Sequence, residues 1–136
     1  MTEKNKLYPH LMPEEIIVWE RFLNTYKPDF DNYQYDVKVG TPAVTSPELT
    51  DNLKEMSDNL TTKRIDVVAW KAGVPVVIEI KKIVGMKALG QAITYPILLA
   101  ELLNSSDLPN ALVIGESAVP DMERIFELAG IALILV

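Results

Sequence analysis

Two β-branched runs, RIDVVAW at 64–70 and VPVVIEI at 74–80, stand only three residues apart, joined by Lys71-Ala72-Gly73. Runs of this composition around a short Gly-containing connection predict a β-hairpin, and Ala72-Gly73 suits its two-residue loop. In that register, positions whose numbers add to 145 face one another, so Asp66 falls opposite Glu79 and Arg64 opposite Lys81. Directly opposed residues of an antiparallel pair share a face of the sheet. Two like charges so placed cost up to about 1 kcal/mol when exposed and far more when desolvated. One reading is an edge hairpin whose acids are separately salt-bridged to Arg64 and Lys81. The other is a pair of carboxylates converging on a hard divalent cation, which prefers oxygen ligands. The run VVIEIKKIV favours the second, because a solvated edge would alternate more cleanly than this.

The remaining pattern supplies the setting. Pro13 suits the first position of a helix and Glu14 and Glu15 its positive end. Ile16, Trp19, Leu23 and Tyr26 follow at helical spacing, predicting an amphipathic helix over about 13–27 that stops before Pro28. YQYDVKV (33–39) alternates as a strand. Gly40, Pro42 and Pro47 punctuate the next stretch, and LTDNLKEMSDNL suggests a short helix. From Gly85 to about Leu103 the spacing is helical, with Met86, Leu89, Ile93, Leu99 and Leu103 as expected core contacts and Pro96 expected to kink or split it. ALVIG (111–115) and IALILV (131–136) read as buried strands flanking a helix over 120–128 that Gly130 closes. Strand–helix–strand with wholly apolar strands predicts a parallel pair. The order is α-β-β-β-α-β-α-β, a three-layer α/β domain around a mixed sheet. Trp19 and Trp70 read as core rather than as platforms for bases.

Composition narrows the chemistry. A length of 136 residues, 49% of them apolar and 24% charged, fits one globular domain. With no cysteine, a disulfide framework, a zinc ribbon and a thiol nucleophile are excluded; a single histidine, His10, excludes a His-rich metal site within one chain and reads as a surface residue. No signal-type segment and no run of 18 apolar residues occurs, so a soluble cytoplasmic protein with no membrane partner is expected. The net charge is -6, which disfavours a broad polyanion-binding surface. The charge is uneven, however. Lys63 to Lys87 contains six basic and two acidic residues, a net of +4, which leaves −10 on the rest of the chain. A basic middle on an acidic body can still hold a polyanion. Arg64, Lys82 and Lys87 are the expected phosphate contacts.

Asp66, then Glu79-Ile80-Lys81, then Gln91-Ala-Ile-Thr-Tyr95 on the next helix resembles the PD-(D/E)XK nuclease superfamily, especially its RecB- and NucS-like branch. The resemblance covers about 63–136 well and the first helix loosely. It implies a restriction-endonuclease-like domain spanning 1–136. It also implies a Mg²⁺- or Mn²⁺-dependent deoxyribonuclease, with Asp66, Glu79 and the Ile80 carbonyl holding the ion. Lys81 would orient the attacking water or stabilise charge developing on the phosphate. Gln91 and Tyr95, one turn apart, would touch the DNA backbone or brace the site. Many relatives add an acid from the first helix, and of Glu15 and Glu20 the one-turn spacing from Ile16 selects Glu20. The residue before Asp66 is Ile rather than Pro, as is common in that branch. Specificity would come from a homodimer or an accessory protein, since little chain is left for a separate DNA-reading module. Two alternatives carry other roles: a catalytically inactive module of this fold binding nucleic acid or protein, and a dimer resembling Holliday-junction resolvases.

Overall fold

The computed structural model describes residues 7–41 and 63–136. The short helix expected over 49–60 lies outside them. The described chain forms helix α1 (Pro13–Tyr26), strands β1 (Asn32–Val39), β2 (Lys63–Lys71) and β3 (Val74–Val84), helix α2 (Met86–Leu102), strand β4 (Asn110–Ala118), helix α3 (Met122–Ala129) and strand β5 (Ala132–Leu135). The sheet is mixed and open, in the order β1-β2-β3-β4-β5. The β1–β2 and β2–β3 pairs are antiparallel, and the β3–β4 and β4–β5 pairs are parallel. No helix among the described residues is long and apolar enough to cross a membrane.

Local chemistry sets the boundaries. Helix α1 starts with Pro13 in its first turn, and the Glu15 carboxylate accepts the Met12 amide at 2.9 Å. It ends on Lys27 in the left-handed conformation (φ 45°), directly before Pro28. The hairpin closes on Ala72 (φ 49°) and Gly73 (φ 77°), the two positive φ values that a type I′ turn requires. The Ala72 amide donates to Asp31 Oδ2 at 2.7 Å, which ties the strained tip to the start of β1. Strand β3 runs four residues beyond the apolar stretch that predicted it, because its far half is paired with β4 as far as Val84↔Ala118.

Alternate residues of β3 and β4 divide the core. Ile78, Ile80 and Ile114 pack beneath α1 against Ile16, Val18, Trp19 and Phe22. Val77 lies with Tyr95 and Leu99 of α2, and Val113 with Ala88, Ala92, Met122 and Phe126 of α2 and α3. One helix therefore covers one face and two helices the other. Trp19 is fully buried, whereas Trp70 is half-buried and donates its indole N–H to Gln34 at 2.8 Å.

Two expectations about α2 need correction. The helix is not split at Pro96, which is buried within one continuous element. Its buried face is Ala88, Ala92, Tyr95, Pro96, Leu99 and Ala100, while Met86, Ile93 and Leu103 are exposed. Small side chains, not the large ones, face the sheet, and alanine lets the helix lie close against it.

Candidate active site

The sheet forks at one level. The β2–β3 ladder has the expected register from Lys71↔Val74 to Val67↔Ile78 and then stops. Beyond that point β2 remains paired with β1 down to Lys63↔Val39, and β3 remains paired with β4 up to Val84. Asp66 and Glu79 occupy the crotch. There side chains replace the missing backbone pairs: the Asp66 amide donates to Glu79 Oε2 at 2.8 Å, and the Ile80 amide donates to Asp66 Oδ2 at 2.9 Å. Each carboxylate thus satisfies a backbone donor of the opposite strand.

Strands β1 and β2 change face at the same level. Tyr33 and Tyr35 pack on the α1 side but Val37 and Val39 on the α2 side; likewise Val67 and Ala69 differ from Ile65. Strict alternation would keep residues two apart together. Asp36, left-handed at φ 57°, breaks that alternation in β1. Its carboxylate accepts from Arg64 Nη1 at 2.7 Å, and among the described residues no Arg64–Asp66 ion pair lies within 4 Å. The alternative of two separately salt-bridged acids fails here for the Arg64 half.

Glu79 is 1% exposed, and its Oε1 has no hydrogen-bond partner. Burial, reinforced by the charge of Asp66, pushes the Glu79 carboxyl up to about 9; the Asp66 amide and the charge of Lys81 oppose this in part. Burial also raises Asp66, to about 6, against the Ile80 amide and Lys81. Near neutral pH the pair accordingly holds about one proton between two acids.

The neighbours arrive from β3, α1, α2 and the turn before α1. Lys81, half-buried on β3, acts electrostatically on both carboxylates. From the first helix it is Glu15, rather than Glu20, whose charge bears on both. Tyr95 is 8% exposed, and its hydroxyl accepts from Gln91 Nε2 at 3.4 Å. Burial raises the Tyr95 phenol, and the charges of Glu79 and Asp66 add to this. Of the two roles expected for Gln91 and Tyr95, this buried geometry fits bracing. Lys82 and Lys87 are exposed. His10, read as a surface residue, is indeed 55% exposed in its side chain, yet its charge acts on Asp66 and its Nδ1 lies 3.8 Å from Asp36 Oδ1. Glu15 is one of the two first-helix acids the sequence offers, whereas His10 has no sequence signal; both are brought in by chain entering α1 at its N-terminal end.

Among the described residues, no group of three His, Cys, Asp or Glu side chains converges as a metal cage. The donor set is smaller: two carboxylates, one with a buried unpartnered oxygen. That set fits Mg²⁺ or Mn²⁺, which bind through one or two carboxylates and keep several waters. No known protein family, curated protein or solved structure matches the chain.

Proposed function

We propose that the chain is a metal-dependent phosphodiesterase acting on DNA, built on a restriction-endonuclease-like fold of the PD-(D/E)XK type. The observation that carries this reading is the buried acid pair Asp66–Glu79 in the sheet fork, with one free carboxylate oxygen and Lys81 beside it. Capping two fork amides does not require two desolvated acids, since a neutral side-chain oxygen accepts an amide as well, whereas a site gains a place for positive charge.

Asp66, Glu79 and the Ile80 carbonyl would hold the ion, which when bound supplies a lowered pKa to water and neutralises phosphate charge. The residues of the chain account for the rest. Each acid is fixed by an amide of the opposite strand, so its orientation costs no reorganisation during reaction. Lys81 is placed to orient a nucleophilic water or to bind a phosphate oxygen as negative charge grows there. Gln91 and Tyr95 buttress the pair from α2.

The test is a cleavage panel with Mg²⁺, Mn²⁺ or EDTA against single-stranded, duplex and four-way-junction DNA. Metal-dependent cutting that Glu79→Ala abolishes without unfolding supports the reading. Full activity in that variant refutes it. Binding without cutting under every metal assigns the chain to the inactive-module alternative, and cutting of junctions alone to the resolvase-like one.

A further inference from the structure

We infer that a shallow groove between Lys63 and Lys87 takes a second phosphate of the substrate strand, next to the one at the acid pair, and that Gly90 admits it. The inference rests on the nuclease reading and adds to it a route for the strand. The groove, about 290 Å³, is lined by Lys63, Lys87, Gly90, Gln91, Thr94 and Tyr95. It adjoins the site, because Gln91 and Tyr95 line it and the Tyr95 hydroxyl feels the charges of Glu79 and Asp66.

Three observations point to an anion. Arg21, Arg64, Lys71 and Arg124 all have a carboxylate within 4 Å, whereas Lys63 and Lys87, like Lys81 and Lys82, have none among the described residues. The first turn of α2, which carries Lys87, contains no acid, so the positive end of that helix is uncompensated on the same side. Gly90 sits within this helix, where glycine costs about 1 kcal/mol relative to alanine. Nothing among the described residues asks for it: a Cβ there would meet none of their atoms within 4 Å, and its φ is not left-handed. A bare backbone at an exposed groove floor, between two ammonium groups with no carboxylate partner among the described residues, is room for a phosphodiester to approach closely. Two lysines on a chain of net charge -6 suit the backbone of one strand rather than the face of a whole duplex.

The probe is a fluorescent single-stranded oligodeoxynucleotide, with binding measured in EDTA over a salt series and cleavage measured in Mn²⁺. Lys63→Ala with Lys87→Ala should weaken binding about tenfold and reduce the salt slope by roughly 0.7 for each lysine. Lys71→Ala, at the far hairpin tip, should change neither. Gly90→Leu should raise the melting temperature while weakening binding and raising KM, a combination that a purely structural glycine would not give. Wild-type affinity and salt slope in both groove variants overturn the inference. If DNA is cut while these variants behave as wild type, the groove fails and the nuclease reading stands. If nothing is cut but binding follows the lysines, the groove stands and the nuclease reading fails.

Discussion

Asp66 and Glu79 are linked crosswise through each other's strands: Glu79 Oε2 accepts the amide of Asp66, and Asp66 Oδ2 accepts the amide of the residue after Glu79. Two side chains thereby close a gap where two strands part. The fork and the acid pair are consequently one feature, since neither acid can leave without freeing a part-buried amide of the opposite strand.

The first prediction concerns pH in the absence of metal. Burial raises both carboxyls, Asp66 from 3.8 to about 6 and Glu79 from 4.5 to about 9. Between the unfolded and folded values the native state binds more protons than the unfolded chain, so stability falls as pH rises. The loss begins near pH 4 and continues to about pH 9. Glu79→Gln cannot ionise and keeps an oxygen for the Asp66 amide. Its melting temperature in EDTA should match wild type near pH 5 and exceed it near pH 9. A wild type that grows more stable across that range, with the variant following it, contradicts the assignment.

Divalent cations should reverse this trend. An ion at the pair must displace the shared proton, so its apparent affinity rises with pH. Mn²⁺ should raise the melting temperature more at pH 8 than at pH 6, and saturation at a hundred times Kd contributes about 2.7 kcal/mol. Asp66→Asn should remove the effect. Calorimetry in two buffers of different ionisation enthalpy would detect the released proton, and equal heats in both would count against it.

The hairpin register was legible because a two-residue loop at Ala72-Gly73 determines every pair back to Val67↔Ile78. The same arithmetic brought Asp66 and Glu79 to one level, although the backbone ladder itself ends before them. The fork was not legible, since it arises when side chains replace ladder bonds, and a hydrophobic pattern carries no trace of that exchange. Asp36 hid a second departure: in YQYDVKV it occupies an ordinary polar slot, yet its left-handed φ turns Val37 and Val39 to the opposite face from Tyr33 and Tyr35. Helical spacing selected Glu20, whereas the site meets α1 at its first turn, where Glu15 also accepts the Met12 amide. Spacing along a helix says which face is shared, not which end approaches a sheet. Large apolar residues on α2 misled for a related reason, because the alanines set the contact distance.

Lys81 supplies a third prediction. It is half-buried, and it influences both acids without a salt bridge to either within 4 Å. Removing the ammonium should reduce kcat by roughly 10²–10³, the usual loss for one electrostatic stabiliser of a transition state. Lys81→Ala should leave KM and the urea midpoint near wild type. An unchanged kcat would return Lys81 to an ordinary strand residue.

Gly115 gives the last prediction, which tests the scaffold rather than the chemistry. It lies on β4 opposite Lys81, and its carbonyl accepts the Val136 amide at 2.8 Å. A Cβ at this position would stand 2.5 Å from Val84 Cγ2 and 3.3 Å from the Lys81 carbonyl. The valine is branched at Cβ and fully buried among Ala88, Val113 and Phe126, so it has little freedom to turn away. Gly115→Ala should therefore cost about 1–3 kcal/mol, as overpacking does. Val84→Ala alone should also destabilise, by leaving a cavity. Combined, the two should be less harmful than their sum by more than about 0.5 kcal/mol, since each removes the other's fault. Urea unfolding of the four proteins measures this coupling. Because the strained contact adjoins Lys81, cleavage should fall in Gly115→Ala and recover in the double variant; strict additivity would mean that β3 and β4 do not pack here as described.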